Sequence, residues 1–459
     1  MARVRRFRLP ALGSVVLLAA VLAGCQGRAQ LSGAAPSPGP LPPGITLAFN
    51  HNDSRRYRSP IDDQWRRGDD LEAFILQGIS EAKREILVAV QELSLPRIAE
   101  ALARRHRDGL TVRVVLENTY ATPWSQEHPA DLDPRQRNRH TQLEALGWGD
   151  AVAILQRQGV PLLDDTADGS KGSGLMHHKF MVIDRTSVIT GSANFTPSCI
   201  HGDPDDHRTR GNVNHLLRIE SPALAELFAG EFSRLWGDGP GGAADSRFGI
   251  AKQGGPVQVV QVGPTPVAVL FAPHRRSDPN HGLALLNTLL LGARHRLDLA
   301  LFVLSDQSLT STLEQLQRRG VKIRLLADPG FANRPFSEVL DLLGTQLPDG
   351  DCKIEAGNKP LQHPLDGVGT PQLVSGDKLH HKLAVIDNQR VITGSFNWSP
   401  SASHQNDETL LVIDSPLLAR HFTAEVDRLW RGAELGVGGR LQRKIDKQRQ
   451  SCGSGVQRG

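Results

Sequence analysis

The stretch HHKFMVID at positions 177–184 is followed, after six residues, by GSAN at 191–194. The chain repeats this arrangement as HHKLAVID at 380–387 and, again after six residues, GSFN at 394–397. Two copies of so long a pattern at one spacing do not arise by chance in a chain of 459 residues. We therefore predict an internal duplication whose two copies serve the same purpose.

The spacing within each motif suits a β-strand that ends in a tight turn. Side chains at positions i and i+2 of a strand point to the same side, so His177 and Lys179 are expected to face one cavity. His178 and Phe180 then face the opposite layer, and we predict packing or a supporting hydrogen bond for His178 and for its second-half equivalent, His381. The strand that returns after the turn brings the GSAN segment back beside His177.

A second pair of similar segments extends the duplication beyond the motifs. ESPALAELFAGEFSRLW at 220–236 matches DSPLLARHFTAEVDRLW at 414–430. Both begin with an acid, Ser and Pro, which is typical of a helix start. The offset between the halves falls from 203 at the motifs to 194 at these helices, so the second half has lost nine residues. We place that loss in the loop that occupies 199–211 of the first half.

Ahead of each motif, apolar strands alternate with amphipathic helices. The predicted elements are a strand at 86–90, a helix at 95–107 and a strand at 111–116, then a strand at 297–303, a helix at 309–319 and a strand at 321–326. Such βαβ units favour an α/β fold. We predict two similar domains, each a mixed, mainly parallel sheet flanked by helices.

The length allows two such domains, and changes in composition suggest where they begin and end. The predicted segments are a signal peptide at 1–25, a Pro-rich tether at 26–44, a first domain at 45–240, a linker at 241–255, a second domain at 256–435 and a basic tail at 436–459. The Gly-rich stretch at 237–255 marks the boundary between the halves. The tail is also rich in Gly, and we expect it to be disordered.

Both motifs resemble the HKD signature of the phospholipase D superfamily, which is His-x-Lys-x4-Asp followed by Gly-Ser-x-Asn. The resemblance covers the chain from about residue 70 to residue 430, and both copies match in full. It implies a pseudo-twofold arrangement of the two domains around one shared active site. It also implies hydrolysis of a phosphodiester through a covalent phosphohistidine, for which we predict neither a metal ion nor another cofactor.

The resemblance gives each motif residue a role. His177 is expected to attack phosphorus and His380 to act as general acid and base, although the sequence also permits the reverse order. Phosphoryl transfer needs positive charge and hydrogen bonds for the phosphate oxygens, which lysine and asparagine supply. The predicted catalytic residues are His177, Lys179, Asp184, His380, Lys382 and Asp387, and the predicted phosphate-binding or supporting residues are Ser192, Asn194, Ser395, Asn397 and Glu408.

The halves differ at one position to which the resemblance gives weight. Glu408 matches an acid that supports a catalytic histidine in many members of the superfamily, whereas the equivalent position in the first half is Asn214. Unlike partners would give the two motif histidines unlike pKa values. The alternative for Glu408 is a plain structural role at a strand end, and the alternative for Asp184 and Asp387 is turn formation.

Two loops contain residues whose role the sequence leaves open. In the longer first-half loop, Asp carboxylates suit a divalent cation such as calcium, but a solvated loop is the favoured interpretation. The loop at 120–150 is either a substrate entrance or an ordinary surface excursion. The residues concerned are His201, Asp203, Asp205, Asp206 and His207 in the first loop, and Trp124, Arg135, Arg137, Arg139 and Trp148 in the second.

The N-terminus has the pattern of a bacterial export signal. Four arginines within the first ten residues precede an apolar run at 12–22, which is short for a membrane span. The ending LAGC at 22–25 resembles the lipobox of bacterial lipoproteins and implies acylation of Cys25, with an ordinary signal peptide as the alternative. The Pro-rich stretch at 34–44 would then act as an extended tether. We predict an exported protein, lipid-anchored to a bacterial membrane on its periplasmic or cell-surface side.

The remaining cysteines are Cys199, Cys352 and Cys452, and their spacings match no metal or redox motif. One disulfide is compatible with an exported protein. The sequence does not identify which two of the three residues form it.

The overall charge bears on the substrate. The formal net charge is +4, and the four arginines of the first ten residues account for all of it. A neutral remainder and an aromatic content of only 5% do not favour nucleic-acid binding. We expect a monomeric phospholipase D that releases head groups from phospholipids and meets the membrane through its lipid anchor. The alternatives are an exported, metal-independent endonuclease acting on nucleic acid and a phosphatidyl transferase.

Overall fold

The computed structural model describes residues 38–147, 149–170, 174–453 and 457–458. Residues 38–459 form one compact unit. Cys25, the whole predicted signal peptide and Trp148 lie outside the described residues, so their predicted roles stay predictions. In the described part of the chain, no helix combines the length and the apolar character that crossing a membrane requires.

The first half alternates strands and helices in the predicted order. Its elements are β1 Ile45–Phe49, β2 Arg56–Arg58, β3 Trp65–Arg67, α1 Leu71–Glu81, β4 Glu85–Val90, α2 Pro96–Arg107, β5 Thr111–Leu116, α3 Pro134–Leu146, α4 Ala151–Arg157, β6 Leu162–Asp164, β7 Lys179–Ile183, β8 Ser187–Gly191, α5 Pro197–Ile200, β9 His215–Glu220 and α6 Pro222–Trp236. The predicted βαβ unit corresponds to β4, α2 and β5, and the first motif lysine begins β7.

The second half repeats this order and adds a C-terminal helix. Its elements are β10 Gln258–Val262, β11 Thr265–Ala272, α7 Gly282–Leu291, β12 Arg296–Leu301, α8 Gln307–Arg318, β13 Lys322–Ala327, α9 Pro329–Ala332, α10 Glu338–Leu342, β14 Lys353–Ile354, β15 Val368–Thr370, β16 Lys382–Ile386, β17 Arg390–Gly394, α11 Pro400–His404, β18 Glu408–Asp414, α12 Pro416–Trp430, β19 Glu434–Leu435, α13 Gly439–Cys452 and β20 Gln457–Arg458. The second predicted βαβ unit corresponds to β12, α8 and β13.

Each half forms one large sheet. The strand order is β1-β9-β8-β7-β4-β5-β6 in the first and β10-β11-β18-β17-β16-β12-β13-β15-β19 in the second. The predicted α/β fold with two mixed sheets is confirmed, but within these two large sheets the described parallel pairs join only β4–β5–β6 and β12–β13–β15. The prediction of mainly parallel sheets is wrong, because each motif strand turns back into a hairpin and also pairs antiparallel to β4 or β12.

Apolar side chains form a shared central core and two outer cores. The central cluster includes Phe180 and Phe228 from the first half and Phe271 and Phe422 from the second. One outer cluster joins α1, α2 and α4 to the first sheet, and the other joins α7 and α8 to the second sheet. Because α6 and α12 both contribute to the central cluster, the two halves are packed on each other where the motifs lie.

The repeated helices α6 and α12 begin as the sequence predicts. The Ser221 side chain accepts a hydrogen bond from the backbone N–H of Leu224, and Ser415 does the same for Leu418. In both helices Pro follows the capping serine, where the missing N–H costs no helical hydrogen bond. The duplication therefore includes the helix starts.

The prediction of a disordered basic tail is wrong. Helix α13 buries Leu441 and Ile445 in the outer core of the second half, and Cys452 at its end forms a disulfide with Cys352. Cys199 is a free, buried thiol. Two apolar residues four positions apart, among basic neighbours, are too short a pattern to reveal a packed helix in the sequence.

Candidate active site

The two motifs meet where the halves pack together. The backbone N–H of His177 donates to the carbonyl of Asp407 at 3.0 Å, and that of His380 donates to the carbonyl of Val213 at 3.1 Å. Each motif is thereby hydrogen-bonded to the segment that precedes the last sheet strand of the other half. Both histidines belong to one site, as the duplication implied.

The side-chain partners of the two histidines also cross between the halves. His177 Nδ1 lies 2.8 Å from Glu408 Oε2, and His380 Nδ1 lies 3.0 Å from Asn214 Oδ1. The amide oxygen of Asn214 is an acceptor, and so is the carboxylate of Glu408 when it is ionised. Each histidine ring must therefore carry its proton on Nδ1 in order to donate to its partner. In the described part of the chain, Nε2 of either ring has no hydrogen-bond partner, which leaves that nitrogen free for chemistry.

The motif serines hold these partners. Ser395 Oγ donates to Glu408 Oε2 at 2.6 Å, and Ser192 Oγ donates to Asn214 Oδ1 at 2.8 Å. Glu408 and Asn214 are completely buried. Each serine therefore supports, through one residue of its own half, the catalytic histidine of the other half.

The motif lysines lie beside the histidines and are almost fully buried. The Nζ of Lys179 donates to the carbonyl of His177, and the Nζ of Lys382 donates to that of His380, both at 2.8 Å. Burial lowers the pKa of Lys179 to about 8. Burial, with the neighbouring Lys179 charge, also lowers the pKa of Lys382 well below its usual value. Two ammonium groups that repel each other in a buried site favour an anion between them.

The two motif asparagines are placed differently. Asn194 Nδ2 donates to Gln91 Oε1 at 3.2 Å, and the same oxygen lies 3.4 Å from the Nζ of Lys179. Asn397 occupies the equivalent position after β17. Within the described residues, Oδ1 of both asparagines is buried without a hydrogen-bond partner. The structure brings Asn194 to the lysine of its motif, whereas Asn397 makes no such contact among the described hydrogen bonds.

Burial and the charges of the two motif lysines disfavour protonation of the two motif histidines. Burial lowers the pKa of His177 and of His380 well below the usual value, and the charges of Lys179 and Lys382 lower both further. Burial raises the pKa of Glu408 to about 7. A phosphate held between the lysines would reverse part of the histidine shift, since a nearby negative charge favours the imidazolium.

The two sides of the site differ in chemistry. On the first side, Gln91 follows β4 and lies against Lys179. On the second side the equivalent residue is Phe302, whose ring lies 4.7 Å from the His380 ring and 4.8 Å from the Nζ of Lys382. One side is therefore polar and the other aromatic. Sequence reasoning missed this difference because it concerns one position outside any motif.

A protein-family model described as cardiolipin synthase, phospholipase D-like domain, matches residues 75–236 and 286–430. These two matches cover one copy of the motif each and together more than half of the chain. The chain belongs to the phospholipase D-like family. The resemblance inferred from the two motifs is thereby confirmed.

Curated relatives share part of this phospholipase D-like chain. A mitochondrial cardiolipin hydrolase of Xenopus laevis is 32% identical over 141 residues, which are 31% of this chain and 57% of the relative. A phospholipase D of Rickettsia prowazekii is 33% identical over 119 residues, which are 26% of this chain and 48% of the relative. The chain thus spans about half the length of these curated relatives.

A solved structure supports the phospholipase D-like fold over both halves. The phosphatidylserine synthase of Haemophilus influenzae superposes with a TM-score of 0.55 and covers 88% of this chain and 95% of its own. The two sequences are 12% identical. At that identity the likeness concerns the fold alone.

The two motif aspartates of this phospholipase D-like chain lie outside the site. The Asp184 carboxylate accepts the backbone N–H groups of residues 83–85 at 2.7–2.9 Å, and Asp387 accepts those of 294–296 at 2.8 Å. Four residues of strand lie between each aspartate and its motif lysine, which places their Cα atoms roughly 17 Å apart. The structure thus places both carboxylates at turns rather than beside the motif lysines, which agrees with the alternative of turn formation. They occupy left-handed turn positions and fasten the turn to the start of β4 or β12.

His178 and His381 point away from the site, as strand alternation predicts. His178 Nε2 lies 2.9 Å from Glu231 Oε1, and His381 Nε2 lies 3.1 Å from Glu425 Oε1. His215, which sequence reasoning missed, lies 3.0 Å from His381 Nδ1. These buried contacts join each motif strand to the central helices α6 and α12.

The segment predicted as a linker contributes a buried lysine to the interface. The Nζ of Lys252 contacts the Glu231 carboxylate and lies 2.8 Å from Asp407 Oδ1. These two carboxylates and His178 are, within the described ranges, the only group spaced like metal ligands. The Lys252 ammonium contacts both carboxylates, and Arg234 contacts Glu231 as well. The Asp407 carbonyl accepts the backbone N–H of His177. By holding the Asp407 side chain, Lys252 therefore helps to position the backbone segment to which His177 is hydrogen-bonded.

The longer first-half loop is folded rather than fully solvated. His201 is completely buried, with Nδ1 3.0 Å from the Tyr57 hydroxyl and Nε2 3.1 Å from Glu72 Oε2. Asp205 is exposed, as the favoured interpretation expects. The prediction is therefore wrong for His201, which bulky neighbours in α1 and β2 keep away from solvent.

The loop at 120–150 brings one arginine to the rim of the site. Arg139 Nε lies 2.7 Å from Glu92 Oε1, and the guanidinium lies over the Tyr120 ring at 5.1 Å. Glu92 follows Gln91, so this ion pair borders the polar side of the site. Arg135 and Arg137 are exposed on α3.

Proposed function

We propose that the protein is a phosphodiesterase that works through a covalent phosphohistidine, and that it is a phospholipase D releasing head groups from phospholipids. The observation that carries the proposal is the crossed pairing of His177 with Glu408 and of His380 with Asn214. It leaves two imidazole Nε2 atoms free at one buried site that also contains two lysines.

The first step is attack on phosphorus. Lys179 and Lys382 bind the non-bridging oxygens and neutralise the charge that grows on them. Nε2 of His177 forms the P–N bond while its Nδ1–H stays hydrogen-bonded to Glu408. The carboxylate stabilises the positive charge that develops on the ring, as an acid beside a histidine does in other nucleophilic sites.

The leaving alcohol takes its proton from His380. This histidine becomes protonated once the phosphate is bound, and its neutral partner Asn214 does not hold the imidazolium as an acid would. His380 is therefore the stronger acid of the two rings, which suits proton donation. Water then enters, His380 Nε2 removes its proton, and attack of the hydroxide breaks the P–N bond to His177.

Three observations favour a phospholipid as the substrate. The relatives named above include a cardiolipin hydrolase and a phospholipase D, and the family model is described as cardiolipin synthase. An aromatic side chain, Phe302, lies against His380. The charge of the chain beyond its first ten residues is neutral. We also propose export and acylation at Cys25, which would keep the enzyme at a membrane.

The experiment offers purified protein lacking residues 1–25 two kinds of substrate, with EDTA present. One is vesicles of phosphatidylcholine with phosphatidylglycerol or cardiolipin, and the other is single- or double-stranded DNA. We expect release of head group and formation of phosphatidic acid, with H177A as the inactive control. Turnover of DNA alone would overturn the lipid assignment in favour of a nuclease, and product formation only with an added alcohol would indicate a phosphatidyl transferase.

A further inference from the structure

A row of aromatic rings connects His380 to the surface. The Phe302 ring lies 4.7 Å from the His380 ring, the Phe331 ring lies 4.5 Å from Phe302, and the Phe336 ring lies 6.4 Å from Phe331. Phe336 is 41% exposed and is one of eight large apolar side chains exposed among the described residues. The row therefore starts at the catalytic site and ends in solvent.

Basic side chains surround the outer end of this row. Arg334 lies two residues before Phe336 and is exposed. Helix α13 packs beside it, with the Nζ of Lys444 donating to the carbonyl of Asn333. Arg440, one turn earlier on α13, is exposed and lines a small cavity together with Asn333. We call Phe331, Arg334, Phe336, Arg440 and Lys444 the Phe336 face.

The charge of this face is not balanced by carboxylates. Among the described residues, none of the ion pairs within 4.0 Å involves Arg334, Arg440 or Lys444. Partial burial and then the charges of Arg334 and Arg440 lower the pKa of Lys444, so the three cations are close enough to repel one another. The neighbouring Glu434 accepts the N–H of Gly439 at the start of α13.

Other nearby acids do not neutralise the face either. Glu338 is buried and accepts a hydrogen bond from Thr310, and burial raises its pKa to about 7. Asp446 accepts a hydrogen bond from Gln442 along α13. Glu434 and Asp446 keep their own negative charges, so the three cations leave the face with a small positive excess, although the chain beyond its first ten residues has no formal net charge.

Among the described residues, the first half differs at the equivalent place. There Tyr120, which follows β5, takes the position that Phe331 has after β13. Its neighbour Arg139 forms an ion pair with Glu92 at 2.7 Å. The duplication alone therefore does not account for the Phe336 face. An exposed aromatic ring beside uncompensated cations is the combination found at the interface of anionic membranes, where the ring enters the headgroup layer and the cations meet lipid phosphates.

We propose that the Phe336 face docks on an anionic phospholipid bilayer and presents the aromatic row, and with it His380, to the lipid. This deepens the proposed function and rests on it for the substrate, but docking is measured without turnover. Because the aromatic row begins at His380, it lies on the side of the site where His380 protonates the leaving alcohol.

The test measures how tightly a protein of residues 38–459, which contain every described element, binds sucrose-loaded vesicles. Bound protein sediments with the vesicles and is separated from free protein. One set is pure phosphatidylcholine and the other contains about 30% phosphatidylglycerol. Each cation near an anionic surface contributes about fivefold to binding, so R334Q/R440Q/K444Q should bind the anionic vesicles about 100-fold less tightly. F336S should also reduce binding. The matched control R104Q/R135Q/R157Q removes three exposed first-half cations and should bind like the unmodified protein.

The outcomes separate docking from chemistry. Hydrolysis of the soluble diester bis(4-nitrophenyl) phosphate measures the chemistry and should be equal in the triple variant and its control. Equal vesicle binding by both triple variants, or no preference for anionic vesicles, would overturn the proposal. A triple variant that loses single-stranded DNA binding but not vesicle binding would also overturn it and assign the face to nucleic acid. Docking without any lipid hydrolysis would leave this inference standing and contradict the proposed function instead.

Discussion

His177 and Glu408 are 231 residues apart in the chain, yet Nδ1 of the histidine lies 2.8 Å from the carboxylate. The reciprocal contact joins His380 to Asn214 across the same interface. Neither half therefore contains both a motif histidine and the residue that orients it. The duplication has produced one site with two unlike ends, an acid behind one ring and an amide behind the other.

The first prediction concerns pH. Activity requires Glu408 ionised and Lys179 protonated, and their pKa values are about 7 and about 8. Turnover of a soluble diester, measured as kcat/KM, should rise as pH increases through about 7 and fall at higher pH as Lys179 and Lys382 lose their protons, because kcat/KM reports groups of the free enzyme. Glu408→Gln should reduce kcat/KM by about 10²–10⁴-fold and remove the acid limb.

Glu117 provides the matched control for that profile. Burial raises its pKa to about 7 as well, but its carboxylate bonds Thr119 rather than a motif histidine. Glu117→Gln should keep the acid limb. An acid limb that persists in Glu408→Gln and disappears in Glu117→Gln would assign the titration to the wrong acid and contradict the account.

The second prediction separates the motif aspartates from catalysis. Asp184→Asn removes charge from a carboxylate that accepts three backbone N–H groups. The free energy of unfolding should fall by about 1–3 kcal/mol, since bonds to a charged acceptor are the stronger ones, whereas kcat for a soluble diester should stay within about threefold. Urea denaturation and steady-state kinetics on the same sample measure both. A loss of kcat as large as that in His380→Ala, without loss of stability, would restore Asp184 to the catalytic residues.

The third prediction concerns the buried lysine of the predicted linker. Lys252→Met leaves the buried carboxylate of Asp407 without its cation and removes one of the two cations that contact Glu231. Breaking a buried ion pair from one side costs about 3–5 kcal/mol, which chemical denaturation measures. Arg234→Gln removes a half-exposed partner of the same Glu231 and should cost about 0–1 kcal/mol. Equal losses in both variants would show that Lys252 has no special role.

The fourth prediction concerns the disulfide that fastens α13. Cys352 and Cys452 are separated by 100 residues, and removing such a crosslink should lower the free energy of unfolding by about 2–5 kcal/mol. The double variant C352S/C452S should show this loss, and the native protein should show it after reduction. Cys199→Ser is the control, because that thiol is free and the crosslink stays. Insensitivity of the native protein to reductant would contradict the assigned pairing.

The sequence predicted the parts of the molecule that repeat. The motif spacing and the strand alternation placed His177 and Lys179 in the site and His178 behind it, and the capping serines placed the repeated helices. The mixed sheets and the hairpin of each motif were predicted, but the antiparallel pairing of the motif strands with β4 and β12 was not, because no local pattern shows which strand lies beside which.

Features without a repeat or a period were missed. The crossed contacts of Glu408 and Asn214 depend on how the halves pack, which no local pattern encodes. Lys252 and His215 are single residues whose burial follows from the central core. For the motif aspartates the family pattern gives a spacing but no contact, and the structure places both at the turns that end the motif strands, away from the lysines.

The measurement that tests the central claim most directly is the location of the covalent intermediate. His380→Ala, mixed with bis(4-nitrophenyl) phosphate and denatured at alkaline pH, should retain a nitrophenyl-phosphoryl group, because an activated leaving group needs little protonation and hydrolysis lacks its base. Peptide mass spectrometry should place the group on His177, and His177→Ala should retain none. A group found on His380 in the unmodified protein, or trapping that survives in His177→Ala, would contradict the account.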